Sequence, residues 1–280
     1  EIISLMEKKK QVVLINKREF YRNLARLALP IALQSLMLAA VAAGDALMLG
    51  KVAQDEMTAV SLATQIQFVQ NMFLSAATAA GGILGAQYWG KGDKKTLEDI
   101  FNLMLWFCSI VSMLFFLACE LIPELLMHIF THDASLIVIG SAYLRIAGWS
   151  YLITGISQCY LTTMKVSEHI KPGAFISCFA VILNICLNAV FIFGLFGAPR
   201  MQARGAALAT TISRVVELIL CVMVSAKTSY IRPAFDRFMR LSKQLRFDFI
   251  RQCLPLMGGS LCWGIGFTSY TAIMGHMGTD

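Results

Sequence analysis

Charge is what this sequence has least of. Only 15% of its 280 residues are Asp, Glu, Lys or Arg, against about 25% in an ordinary soluble domain. The stretches 27–44, 57–90, 100–119, 146–164, 172–199 and 252–279 carry none. A helix needs roughly 20 apolar residues to cross about 30 Å of hydrocarbon, and several of these stretches supply that length unaided. The scarcity excludes a soluble domain built from short amphipathic helices of about 11–12 residues. Paired cysteines are missing as well. Cys108, Cys119, Cys159, Cys178, Cys186, Cys221, Cys253 and Cys262 form no CxxC, and all lie within or at the ends of apolar segments. That argues against a zinc or disulfide framework and leaves buried thiols. The alternation of period two that a membrane barrel needs is absent. So is a small-residue cleavage site after the N-terminal region, which is too long and too basic for a signal peptide. Met6, in "MEKKK", reads as the natural start, with Glu1–Leu5 upstream of it.

What is present is an all-α integral membrane pattern. Seven transmembrane helices are expected, at 24–49, 57–88, 99–121, 134–164, 171–196, 203–226 and 246–275. In lipid every backbone N–H and C=O must be satisfied within its own segment, so long apolar runs become helices. Lys and Arg set their direction. With the N-terminus in the cytoplasm, nineteen of the 24 fall in inside segments, clustered at 8–26, 91–95, 165–171 and 227–251. Only Lys51, Arg200 and Arg204 fall outside, and Arg145 and Arg214 lie within spans. A multi-pass protein of the plasma (inner) membrane with a cytoplasmic N-terminus follows. The basic residues need no nucleic acid to explain them.

The end of the chain repeats its beginning. Shifted by 225 positions, Arg26 falls on Arg251, Leu29 on Leu254, Pro30 on Pro255, Ser35 on Ser260, Leu36 on Leu261, Gly50 on Gly275 and Asp55 on Asp280, without a gap. The seventh span crosses in the same sense as the first, so the repeat is parallel, about an axis along the membrane normal. The expected organisation is a cytoplasmic segment at 1–23, a six-helix N-terminal lobe at 24–226, a cytoplasmic linker at 227–245 and the first helix of a second lobe at 246–280. The chain is expected to be a fragment, truncated in the second lobe and unable to transport alone.

Four motifs, in order, carry a family resemblance: "GDALMLG" closing the first span, "GAQYWGKGDKK" after the second, "LNICLNAVFIFG" in the fifth and "ARGAALATTISR" opening the sixth. "MGHMGTD" is similar to the start of a second lobe. Across residues 20–280 the chain resembles the multidrug and toxic compound extrusion (MATE) transporters. The resemblance implies a two-lobe, twelve-helix antiporter. It would export cationic or amphipathic drug-like compounds in exchange for inward-moving protons or sodium ions. It would act as a monomer in membrane lipid, with no cofactor beyond the coupling ion, and it would not be an enzyme.

Asp45 is the one acid in the first span. An intramembrane carboxylate marks an ion or substrate path by default, and the family carries Asp at this place; the alternative is a carboxylate solvated at the outer surface. Asn184 and Asn188 are four apart on one helical face, able to serve an ion or Asp45, or to hold two helices together. Some relatives have Asp followed by Pro at the second position, where this chain has Asn188 and Ala189. Tyr143 and Thr210 align with family positions around the lobe cavity. Gln34 adds polar surface to the first span. Gln67 and Gln70, three apart, are expected to share a cavity-facing side of the second, with Gln65 turned elsewhere. Arg214 and Glu217 read as a structural i,i+3 pair. Some relatives carry a Glu in the seventh helix; "LCWGIGFTSY" has no carboxylate and Trp263 stands near that place, which favours protons over sodium.

Two other functions compete. A lipid-linked oligosaccharide flippase of similar two-lobe design would need several cavity-facing cations for pyrophosphate, and only Arg145 and Arg214 lie within spans. An integral membrane enzyme would need a His, Asp or Cys constellation. The nearest is His128 and His132 beside Asp133, at an expected outer loop and without an HExxH pattern.

Overall fold

A computed structural model describes residues 53–197, 199–227 and 242–276, with the single positions 21, 22, 29, 32, 36, 48 and 50. Among the described residues there are helices and no strand. The helices are α1 (Gln54–Gly90), α2 (Lys94–Leu121), α3 (Pro123–His128), α4 (Ala134–Val166), α5 (Ile170–Phe193), α6 (Gln202–Ala226) and α7 (Lys243–His276), with a 3₁₀ turn at Leu195–Gly197. The first expected span, 24–49, lies outside the described residues apart from single positions, as does most of the expected linker.

Four of these helices are long and apolar enough to cross a membrane: α2, α4, α5 and α6. Among the described residues, two of the expected spans, those of α1 and α7, do not meet that measure. α1 and α7 have the length, at 37 and 34 residues, but not the apolarity. α1 carries Gln65, Gln67, Gln70 and Asn71 amid Ser, Thr, Ala and Gly. α7 opens on Lys243, Arg246, Asp248 and Arg251. Much of α1's polarity is turned inward, as the cavity below shows. The short α3 was not expected as a helix. Its Pro123 occupies the first turn, where a missing N–H costs nothing.

The ends are set by local chemistry. Gly92 takes φ +77°, which lets the chain turn sharply out of α1. Asp93 then caps α2, accepting from the Thr96 N–H at 3.0 Å. Asp133 caps α4 in the same manner, accepting from the Ser135 N–H at 2.8 Å. Gly194 ends α5 in the left-handed conformation, φ +71°.

α4 is central, packing against α1, α2, α3 and α6; α6 also lies along α5, and α1 along α2 and α7. α4 can be buried because its hydroxyls are satisfied within the helix. Ser150, Thr154, Ser157 and Thr163 each donate to a carbonyl three or four residues back. Two apolar clusters fill the space between the helices. One gathers Leu84, Leu97, Phe101, Met104, Tyr160, Met164 and Phe249. The other gathers Ala63, Ile66, Met127, Phe130, Leu144, Tyr151 and Ile192.

α7 is one continuous helix with Pro255 inside it. Proline has no N–H, so the Arg251 carbonyl loses its usual partner one turn back. The buried side chains of α7, Leu245, Phe249 and Cys253, precede it; beyond it Gly264 is buried against Met72 of α1. Beyond it, Trp263, Phe267 and Tyr270 are exposed, and Phe68 of α1 meets the Trp263 and Phe267 rings at 5.6 and 5.2 Å.

Candidate functional site

Among the described residues, α1, α4, α5 and α6 line a half-open cavity of about 540 Å³. Drug-sized ligands occupy cavities of about 300–1,000 Å³. Each helix lends it a polar stripe: Ser61, Thr64, Gln67, Asn71, Ser75 and Thr78 from α1; Tyr143, Thr154 and Gln158 from α4; Asn184 from α5; Thr210, Ser213 and Arg214 from α6. The α1 residues fall three or four apart over five turns, so one continuous face of that helix looks into the cavity. Met57, Val60, Leu74, Ala180, Val181 and Ala206 supply the apolar remainder.

A chain of hydrogen bonds fixes the α5–α6 wall. The Asn188 amide donates to the Asn184 Oδ1 at 3.1 Å, and the Asn184 amide donates to the Thr210 Oγ1 at 3.3 Å. Asn184 and Thr210 border the cavity; Asn188 stands behind them, fully buried. Thr210 therefore accepts from Asn184 and keeps its own proton. At one end of these helices the Glu56 carboxylate accepts from the Ala203 N–H at 2.9 Å, joining the start of α1 to the start of α6. Beside it the Met201 N–H donates to the Phe191 carbonyl at 2.9 Å.

Of the residues singled out in the sequence, Gln67, Tyr143, Asn184 and Thr210 come together on this cavity, and Asn188 supports them. Gln34 and Asp45 lie outside the described residues. Gln70 does not share the cavity face expected for it. It is 0% exposed, and its amide donates to the Ser112 Oγ at 3.1 Å and the Tyr151 carbonyl at 2.9 Å. It pins α1 to α2 and α4 at the level where one apolar cluster, with Ile66, gives way to the other, with Leu74. The sequence reading missed Thr64, Asn71, Thr78, Thr154 and Gln158. The signal that finds the α1 members is the spacing 57, 60, 61, 64, 67, 71, 74, 75, 78.

Arg214 and Glu217 do pair, through Nη1 and Oε2 at 2.6 Å. The pair is not merely structural in position, because Arg214 lines the cavity. Among the described residues no three His, Cys, Asp or Glu side chains gather as they would around a metal. Asp133, beside His132, spends its carboxylate on the α4 cap, and the Ser135 hydroxyl and N–H hold its pKa below the usual carboxylate range. The cavity offers neutral donors and acceptors, one guanidinium and apolar walls. That is equipment for binding an organic guest.

A model of the MatE family matches residues 30–190. "Uncharacterized transporter YisQ" of Bacillus subtilis (strain 168) is 26% identical over 262 residues, covering 90% of this chain and 56% of that protein. "Probable multidrug resistance protein NorM" of Bradyrhizobium diazoefficiens is 27% identical over 267 residues, covering 93% of this chain and 56% of that protein. Among solved structures, the Vibrio cholerae MATE transporter VcmN in its bent form aligns with a TM-score of 0.78 at 17% identity, covering 92% of this chain and 57% of that one. At that identity the likeness speaks to fold. The chain thus spans little more than half the length of the relatives it matches.

Proposed function

Because this chain belongs to the MatE family of integral membrane transporters, we propose that it forms one lobe, and the first helix of the next, of an ion-coupled antiporter. The antiporter exports cationic or amphipathic drug-like compounds. The observation that carries this reading is the cavity between α1, α4, α5 and α6, of a size for drug-like guests and lined by Gln67, Tyr143, Asn184 and Thr210. In this proposal seven helices span the membrane, α1 and α7 included, and the N-terminus is cytoplasmic.

The coupling site we propose is Asp45. When charged, it draws hydrogen bonds from amides and hydroxyls such as those of the Asn184–Thr210 wall; when protonated, it loses that demand and the cavity repacks. One charge crossing about 100 mV is worth about 2.3 kcal/mol. A tenfold bias needs about 1.4 kcal/mol, so one proton per cycle sustains a useful gradient. The missing carboxylate near Trp263 favours protons over sodium. The test is drug-stimulated proton movement in proteoliposomes of the full-length protein, wild type against Asp45→Asn. The substitution keeps the shape and removes the titration, and it is expected to abolish coupled flux while substrate still binds. Unchanged coupled flux would remove Asp45 from the mechanism.

A further inference from the structure

Where α1 ends and α7 begins, the two helices line a second hollow, of about 350 Å³. α1 contributes Gln87, Tyr88 and Lys91, and α7 contributes Asp248, Arg251 and Gln252. Within each helix these residues recur three or four apart, so one face of each looks into the hollow. Two cations stand there against one carboxylate, for a net charge of +1. The Lys91 ammonium lies 5.2 Å from the Tyr88 ring centroid, a contact that aims it and uses no oxygen acceptor. Arg251 is exposed and makes no ion pair among the described residues. Asp248 accepts from the Gln244 amide of its own helix at 3.1 Å. Gln252 is the unsatisfied member: its Oε1 is buried and accepts from nothing among the described residues. Apolar surface adjoins this polar ring on both helices. Ile83 stands one turn from Gln87 towards the middle of α1, and Leu254 one turn from Arg251 towards the middle of α7. They are 46% and 55% exposed.

A guest that completes this hollow needs an anion for Lys91 and Arg251 and a hydrogen-bond donor for the Gln252 Oε1. It also needs one net negative charge and an apolar part to cover Ile83 and Leu254. Free phosphate has no apolar part. A choline headgroup has no donor, and a lipid with an ethanolamine headgroup has no net charge. We propose that the hollow is a headgroup site for phosphatidylglycerol at the cytoplasmic face of the membrane. Basic hollows between spans on that side take anionic headgroups. The phosphodiester oxygens accept from Lys91 and Arg251, and the glycerol hydroxyls donate to Gln252 and Asp248. The bound lipid joins the end of α1 to the base of α7. The site requires that α1 and α7 span the membrane, as proposed above, and does not depend on which compound is exported. Were the topology reversed, the leaflet would change and the site would not.

The test uses the full-length protein in detergent, with native mass spectrometry to count the lipid retained. Three lipids with the same acyl chains are compared. Phosphatidylglycerol has charge and hydroxyls, phosphatidylmethanol keeps the charged phosphodiester without a hydroxyl, and phosphatidylcholine has neither net charge nor donor. Wild type is expected to retain phosphatidylglycerol at least about tenfold more tightly than phosphatidylcholine, as two facing cations allow. It is expected to prefer it to phosphatidylmethanol by about fivefold, the worth of a neutral hydrogen bond. Lys91→Gln/Arg251→Gln is expected to bring phosphatidylglycerol down to the level of phosphatidylcholine. Gln252→Leu is expected to bring it down to the level of phosphatidylmethanol, with both still above phosphatidylcholine. Phosphatidylcholine gives each variant its own baseline, so a general loosening divides out. Equal retention of phosphatidylglycerol and phosphatidylcholine by wild type, or a preference that survives Lys91→Gln/Arg251→Gln, overturns the site. Equal retention of phosphatidylglycerol and phosphatidylmethanol by wild type, or an unchanged gap between them in Gln252→Leu, overturns the glycerol assignment. Displacement of the lipid by equimolar glycerol 3-phosphate overturns the lipid assignment in favour of a soluble phosphate.

Discussion

Gln67 and Gln70 differ by less than a full turn of α1, yet one borders the cavity and the other is locked between three helices. Replacing Gln70 by Leu removes two buried hydrogen bonds and leaves the Tyr151 carbonyl without that donor. The expected cost is about 1–2 kcal/mol, read as a lower melting temperature of the purified protein in detergent. Gln67→Ala breaks no such bond, and it is expected to leave the melting temperature in place while changing substrate affinity. Helical spacing put both amides on one side of α1. It did not show that the edge between cavity and core falls between them, because that edge depends on where α2 and α4 press against α1. Arg214 teaches the same lesson. Its partner three residues on was legible from spacing alone. Its view into the cavity was not, since that depends on how α6 is rotated against its neighbours.

At the level of helices, the expected bounds lie within three residues of the observed ones except at the start of α2, expected at 99 and found at Lys94. Asp93, Asp133 and Gly194 stop or start helices through side-chain acceptors and a left-handed turn, both local properties. Hydropathy was less informative for α1, whose polar residues are turned towards the cavity or spent on neighbours. The joint between α5 and α6 is tight. A Cβ at Gly205 would stand 2.8 Å from the Phe191 carbonyl oxygen, a backbone atom with little room to yield. Gly205→Ala is therefore expected to cost about 1–3 kcal/mol. Gly90→Ala, at a position with nothing within 4 Å, is the control and is expected to be neutral or slightly stabilising; thermal unfolding of both compares them. The α2 cap carries a pH dependence of its own. The Thr96 hydroxyl and N–H hold the Asp93 pKa below its ordinary value. The cap is thus fully formed above the ordinary carboxylate value of about 3.9 and is lost as pH falls through the lowered one. Carboxyl chemical shifts followed from pH 7 downwards are expected to show Asp93 titrating later than an unbonded Asp; titration at the ordinary value would show the cap to be broken.

For the molecule as a whole, the order of helices was readable from charge-free runs, and the direction of crossing rests on where Lys and Arg gather. A cysteine placed at Lys94 in a Cys-free background is expected to be protected from a membrane-impermeant reagent in intact cells, and one at Arg200 to be labelled; the reverse pattern would invert the topology. The place of Pro255 inside α7 has a mechanical meaning at this scale. The segment before the proline is clamped in the core by Leu245, Phe249 and Cys253. The segment after it leans on α1 through the rings of Phe68, Trp263 and Phe267. From Pro255 to His276 the helix runs about 30 Å at 1.5 Å per residue. A bend of about 20° at the proline, the threshold of a sharp kink, would swing the far tip by about 10 Å. α7 is then a lever with a fixed base and a long arm. The aromatic contact lies nearer the arm's middle than its fulcrum, where a modest shift of α1 becomes a wide sweep at the tip.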